Sequence, residues 1–552
     1  MMRKMKYNLF KIIAVISVAF LTNNAFAQKD TTGKGAVDII SAFRPQLKEA
    51  AKINFSASPL QVATTKASLQ YQIPNQQLSL AYQAKAIQPL AYQTDSLVHF
   101  KNSNYIKLGY GNLRSPYVQI LLSAGDADKA GLHLMAEHQS SESDIPYQKY
   151  SKQGLDLRGF AKTTNNQRLD AGISFGLDKR YKYGYLPVTL TLPIDSLLQQ
   201  FTSIDANISL QNIAKKTAGI NYGPVIRVGS FSDKRSNNEQ RIQLAVPLEK
   251  TISINWSAKL NAVLDFGHYA PKNAASSSNN VLGVYPTVSY EKSNWKLNLG
   301  AGLVSNNNDF SALPAVSFQL QPAGSSFYFE AGWKGSIEKN SYKNLSAINP
   351  FIWAPATIKN TGITNRYLSV RGNLTDHFYF NVQARFNSLT DQSLFLNDTA
   401  AASDGKSFKV LYENKMKEFA LLAELLYKKG ESFTWKNSLR MSHYSGLSSQ
   451  AKAWGLVPLE FNSSLRALVI KKGYLTANLA AFSGVSYLAA SAKDKKLAGA
   501  LDLGLGAEYA LDQHWKAWLN FGNLFNKNYQ RWNQYPVYGF NFQGGVVFSF
   551  GK

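Results

Sequence analysis

The residues to test first for chemistry are the seven histidines, His99, His133, His138, His268, His377, His443 and His514. They are scattered, and neither a Gly-x-Ser-x-Gly nucleophile elbow nor a His-Glu-x-x-His zinc motif occurs. His133 and His138 are five positions apart on an expected strand. Alternation of side chains puts them on opposite faces, so they make a poor joint metal site. The GKG at 33–35 lacks the spacing of a phosphate loop and reads as part of a flexible arm. Asp398 and Asp404 in LFLNDTAAASDGKS miss the alternate-ligand template of a calcium loop. An ordinary turn is expected there, with a loose surface calcium site as the alternative. There is no cysteine, hence no thiol nucleophile, disulfide, thiolate metal site or acylated lipoprotein cysteine. The expectation is therefore no catalytic, cofactor-binding or metal residues, no cofactor, and no enzyme.

A different set of polar residues carries more information. Lys259, Asp265, Arg385, Asp502 and Glu508 each lie opposite a run of apolar side chains. Ile254, Trp256, Ala258, Leu260, Ala262, Leu264 and Phe266 alternate with Asn255, Ser257, Lys259, Asn261, Val263 and Asp265. Phe378, Phe380, Val382, Ala384 and Phe386 alternate with Tyr379, Asn381, Gln383 and Arg385. Leu497, Leu501, Leu503, Leu505, Ala507, Tyr509 and Leu511 stand against Asp502, Gly504, Gly506, Glu508 and Ala510. At the end of the chain Phe540, Phe542, Val546, Phe548 and Phe550 alternate with Asn541, Gln543 and Ser549. A period of two is that of a strand, and segments of about ten residues match a tilted transmembrane strand.

The N-terminus supplies the compartment. Arg3, Lys4 and Lys6 precede FKIIAVISVAFL, and Ala25-Phe26-Ala27 has the small-residue pattern of a cleavage site, so residues 1–27 read as a secretory signal peptide. A permanent anchor is the weaker reading, because the apolar run is shorter than the ~20 residues a spanning helix needs. The chain carries a formal charge of +25. A secreted protein rarely meets nucleic acid, so anionic headgroups or solutes are the expected partners of this excess.

No long apolar run follows residue 27, so no transmembrane helix is expected. Up-and-down hairpins with an apolar and a polar face close into a barrel around water and leave no unpaired edge in lipid. A secreted multi-sandwich protein is the alternative, but nothing breaks residues 104–550 into domains of sandwich size. The fold class is thus all-β, a transmembrane antiparallel up-and-down barrel. Counting segments gives roughly 23, and both ends in the periplasm require an even number, so about 22 strands are expected. The stretch FKVLYENKMKEFALLAELLY (408–427) reads as one strand or two. Residues 28–103, with Pro74 and Pro89 among alternating stretches, form an N-terminal extension of periplasmic or luminal position, and 104–552 the barrel.

A family resemblance enters with WKAWLNFGNLFNKNYQRWNQYPVYGFNFQGGVVFSF (515–550). Its Asn523, Leu524, Phe525, Asn526, Lys527 and Tyr529 resemble the closing hairpin of TonB-dependent receptors, and Phe550 resembles an outer-membrane assembly signal. Upstream, VDIISAFRPQLKEAAKINFSASP (37–59) and NYIKLGYGNLRSPY (104–117) look like the entry region of a plugless TonB-dependent receptor-like subgroup. The resemblance implies a Gram-negative outer-membrane barrel. It also implies a plug domain longer than 28–103, for which no plug-like glycine and arginine motifs are found.

Two functions follow as expectations. The first is mediated or gated passage of hydrophilic solutes across the outer membrane; the second is a non-transporting anchor that docks a partner through its loops or its N-terminal extension. The expected partners are outer-membrane lipids and lipopolysaccharide, the outer-membrane assembly machinery, and a periplasmic or outer-membrane protein, with no nucleic acid. Residues 37–103 are expected to fill part of the lumen, and NLSAINPFIWAPATIKNT (344–361) to fold inward over the outer mouth.

Overall fold

The computed structural model describes residues 104–184, 193–214, 219–398, 407–489 and 494–551. The expectations for the signal peptide, the extension, the plug and Asp404 lie outside these residues. All described residues belong to one compact unit, Leu47–Lys552.

One antiparallel sheet of 24 strands makes the fold. Two of them, Ile220–Tyr222 and Ser277–Ser278, are short pieces beside longer neighbours, which leaves 22 barrel strands. In chain order the first eleven are Asn104–Gly111, Tyr117–Asp126, Ala130–Glu142, Lys149–Lys162, Gln167–Tyr181, Leu198–Asn212, Val225–Asp233, Asn238–Thr251, Trp256–Ala270, Val281–Lys292 and Trp295–Asn306. The second eleven are Asp309–Leu320, Phe327–Glu338, Thr361–Thr375, Phe378–Asn397, Phe408–Lys429, Phe433–Ser445, Leu459–Ile470, Gly473–Phe482, Ala500–Ala510, Trp515–Gly522 and Asn541–Phe550. Each pairs with its neighbours, and the last closes on the first from Asn104↔Phe550 to Gly111↔Gln543. The segment in doubt is a single strand of 22 residues, Phe408–Lys429. Ile254 and Leu497 fall just outside the strands read for them, which begin at Trp256 and Ala500.

The start of the first strand, Asn104, and the end of the last, Phe550, lie together at the end with short turns. There the carboxylate of Asp512 accepts hydrogen bonds from the backbone N–H of His514 (2.7 Å) and Trp515 (2.8 Å), a local bond that lets the chain reverse within a few residues. Long loops gather at the other end, as in outer-membrane barrels with short periplasmic turns and longer extracellular loops.

The faces separate as the alternation predicts. On the last strand Asn541, Gln543, Val547 and Ser549 are buried, while Phe542 and Val546 point outward and are exposed. Around the barrel the outward set is apolar, including Leu155, Ile173, Ile204, Val228, Phe266, Leu299, Leu368 and Phe386. Near the turns lie outward-facing aromatic groups, Trp256–Tyr290–Trp295–Phe318 and Trp515–Phe548–Phe550, whose successive ring centroids are 4.7 to 6.1 Å apart. An apolar band edged with aromatics fits a lipid bilayer, whose interface suits amphipathic rings. No helix among the described residues is long and apolar enough to cross a membrane; the crossing is made by strands.

Candidate functional site

The wall residues singled out by alternation all point inward, and each finds a polar partner. Lys259 pairs with Glu249 at 3.4 Å and Glu508 with Lys516 at 3.4 Å. Asp502 accepts a hydrogen bond from the Tyr529 hydroxyl at 2.6 Å, and Arg385 donates to Gln383 at 2.5 Å. Asp265 accepts from Arg241 Nε (2.9 Å) and Gln243 Nε2 (2.7 Å) and also pairs with Lys339. Further pairs include Arg180–Asp178 at 2.8 Å and Arg440–Glu418 at 2.9 Å. Such pairing suits polar groups withdrawn from bulk water. The lumen wall therefore interleaves acids with bases, and the chain's positive balance is not concentrated on it.

Above this wall the mouth is bridged by loops. The arch between Phe327–Glu338 and Thr361–Thr375 carries a short helix, Tyr342–Ile348. It starts at Ser341, whose hydroxyl accepts from Asn344 N–H (3.0 Å), and stops at Asn349, where Pro350 disfavours a further helical turn. Glu239 accepts from the N–H groups of Tyr342 and Lys343, both at 3.1 Å. Lys343 Nζ reaches Asp205 (2.7 Å), well down the Leu198–Asn212 strand, so the arch bends into the lumen. The Tyr342 hydroxyl donates to Asp233 at 2.6 Å, and burial with this carboxylate pushes the phenol far above its ordinary range. At the feet of the arch, asparagines bridge loop to wall: Asn279 donates to Asn360 (3.1 Å) and to Asn340 O (2.9 Å), and Asn360 donates to Asn306 (2.7 Å).

The arch meets two others. Phe351 stacks on Tyr535 with centroids 3.6 Å apart, and Tyr183 sets its edge against Tyr535 (5.1 Å) and Phe351 (5.8 Å). These three residues follow the fifth, thirteenth and twenty-first barrel strands, so they come from widely separated parts of the rim and meet over the lumen. The cluster continues through Trp532, Phe408 and Phe395 on one side and Tyr342, Phe201, Phe231 and Tyr269 on the other. Main-chain bonds tie it further, with Trp353 N–H donating to Phe408 O (2.9 Å) and Phe408 N–H to Phe351 O (3.0 Å). The Tyr183 hydroxyl donates to Pro536 O at 3.0 Å. Alternation could not reveal this lid, because its residues lie in irregular loops or at strand ends. The available signal was compositional: PFIWAP (350–355) and WNQYPVYGF (532–540) are rich in aromatics where loops are usually polar.

Beside the helix a cavity of about 480 Å³ is lined by Gln199, Asp233, Arg235, Lys272, Tyr342 and Trp353, among others. Lys182 Nζ lies 3.7 Å from the Trp353 ring centroid and donates to Ser407 at 2.6 Å; burial lowers its ammonium well below the usual lysine range. The histidines do not assemble. His133 faces the lumen and bonds Ser123 (2.9 Å), whereas His138 faces outward near Ser140. Asp398 pairs with Lys409 at 2.8 Å. No cluster of three metal-ligating side chains occurs among the described residues.

A closed 22-strand barrel with an apolar belt and a polar lumen is an outer-membrane barrel, and its fold is that of TonB-dependent siderophore receptors. Among solved structures it is similar to the siderophore receptor PirA from Acinetobacter baumannii, with a TM-score of 0.65 at 10% identity over 81% of this chain and 80% of that one. The FrpB iron transporter from Neisseria meningitidis (F3-3 variant) gives 0.62 at 12% identity over 82% of each chain. The pyoverdine receptor FpvA from Pseudomonas aeruginosa, bound to pyoverdine, gives 0.61 at 9% identity over 81% and 78%. No protein-family model and no curated protein matches the chain.

Proposed function

We propose that the protein is a non-catalytic gated conduit for hydrophilic solutes in the outer membrane, its outer mouth held shut by the three-arch aromatic lid. The observation that carries this reading is the meeting of Phe351, Tyr535 and Tyr183 over a wall of paired charges. An open pore would not need a buried aromatic cluster there. A solid anchor would not need a lumen lined by so many charged side chains, whose pairing only offsets the cost of withdrawing them from water. The cavity beside the helix is lined in part by Trp353, whose backbone N–H is bonded to Phe408 of the lid, so a solute held there would touch the lid. The similar barrels named above belong to receptors and transporters, which supports transport over anchorage.

Planar-bilayer recording tests this. Full-length protein should be silent or flicker. A variant with 340–359 replaced by a short Gly-Ser turn should give long-lived large openings. Residues 37–103 provide a second arm: deleting them together with the lid should raise conductance further if they occupy the lumen. A wild-type barrel that conducts continuously at the level of the lid-less variant would sink the proposal. A lid-less, 37–103-deleted barrel that stays silent would favour the anchor.

A further inference from the structure

On one face of the barrel the outward rows are ordered in a way that points to a specific ligand. Cross-strand register places Trp333, Arg366, Phe386, Phe419 and His443 side by side on five consecutive strands. The next row towards the loops contains Lys417, opposite Ser388, and the row after it Lys415, opposite Thr390. All are on the outer face: Phe386 is 54% exposed and Phe419 42%, and Arg366, Lys415, Lys417 and His443 are exposed as well. The Phe386 and Phe419 rings touch at 5.0 Å, and the Arg366 guanidinium lies 5.6 Å from the Trp333 ring centroid.

The height of this row follows from a second aromatic row on the same strands. Phe378, Tyr427 and Phe433 contact one another near the turns, with centroids 6.2 and 5.5 Å apart. From Phe378 to Phe386 along a strand tilted about 40° is roughly 20 Å of membrane normal, close to the ~25 Å apolar band of such barrels. Val382 and Leu368 lie in between and are exposed. The upper row therefore lies at the outer boundary of the hydrocarbon, and Lys415 and Lys417 project at headgroup level.

None of the three cations Arg366, Lys415 and Lys417 is ion-paired among the described residues. On the strand of Lys415 and Lys417, Glu418 is buried on the lumen side with Arg440, and Glu413 is turned into the amides of Ser448, Ser449 and Gln450. Unpaired cations directly above apolar and aromatic side chains complement a molecule with phosphate above and acyl chains below. We propose that this face is a binding site for a phosphorylated, multiply acylated glycolipid of the outer leaflet. In this site Lys415, Lys417 and Arg366 hold the phosphate, and Phe386, Phe419 and Trp333 lie against the acyl chains. The inference rests on the membrane-spanning barrel and not on the gate.

Native mass spectrometry of full-length protein in detergent, titrated with bis-phosphorylated lipid A, tests it. Wild type should retain the lipid at least tenfold better than R366Q/K415Q/K417Q, and better than the same lipid with its phosphates removed. K471Q/K472Q, changed in a turn at the other end, should retain it like wild type. Added salt should release lipid A from wild type while leaving the dephosphorylated lipid unaffected, a readout that needs no variant. Equal retention by the triple variant, equal retention of the dephosphorylated lipid, or indifference to salt would each overturn the site.

Discussion

Glu413 shows how much one side chain can organise at the loop end. Its carboxylate accepts from the N–H of Ser448 (2.8 Å), Ser449 (2.9 Å) and Gln450 (2.7 Å), and from the Ser448 hydroxyl (2.8 Å). Burial alone would push its pKa up. The bonds from Ser448, Ser449 and Lys415 outweigh that and hold it at about 2, against an ordinary 4.5. A carboxyl depressed in the folded state adds stability that is complete above the unfolded pKa and is lost as pH falls through the folded one. Amide exchange at 446–450 should therefore stay slow at pH 4 and accelerate only as pH approaches 2. Bonds to a charged acceptor contribute about 1.5–3 kcal/mol, so Glu413→Gln should speed that exchange tenfold or more at neutral pH; unchanged rates would show the loop to be held by other contacts. Nothing in the sequence marked Glu413, since its partners lie some 35 positions away in a loop without periodicity. Lys259, Asp265, Arg385, Asp502 and Glu508, by contrast, were legible because the two-residue period alone fixes which face a wall residue takes.

The closing strand repeats that contrast within a single element. Its outward and inward faces were readable from residue types, but the tightness of the seam was not. A Cβ built on Gly545 would come within 1.9 Å of Leu108 O and 2.6 Å of Gly109 Cα, both backbone atoms that cannot step aside. Trp518 covers the same place from the lumen, donating to Leu108 O at 3.2 Å with Lys107 Nζ 4.2 Å from its ring centroid. Glycine is needed here because two backbones and an indole share the space. Gly545→Val should thus sharply reduce the heat-modifiable, closed form on gels, whereas Gly154→Val, with nothing within 4 Å of its Cβ, should leave it intact. Equal yields of both variants would remove the seam argument. The 408–429 strand was ambiguous for a related reason. Its 22 residues outrun the membrane, and the loop-side part packs against lid and loops instead of alternating between lipid and water.

At the level of the whole molecule, the barrel was legible and the lid only as an inward-folded 344–361 segment. A sheet obeys one local period all the way round, whereas the lid is made by residues hundreds of positions apart. Tyr535 contacts Phe351, Tyr183 and Phe408, so Tyr535→Ala should loosen all three sides at once. Truncating a buried aromatic costs about 3–5 kcal/mol. Cells carrying the variant should become several-fold more sensitive to a large hydrophilic antibiotic at unchanged barrel levels; unaltered sensitivity would mean that Tyr535 does not hold the barrier.

Tyr535 also belongs to the final loop, the last to be made before the strand that completes the ring. Phe351 and Tyr183 come from much earlier loops and meet edge to face, but the ring that stacks on Phe351 is supplied only by that hairpin. The cluster is thus completed by the same hairpin that closes the wall, and a chain truncated before residue 535 would lack both the last strand and the stacking partner of Phe351. Closing the wall and completing the aromatic cluster are in this way one folding event, because the same C-terminal hairpin supplies both the last strand and the ring that stacks on Phe351.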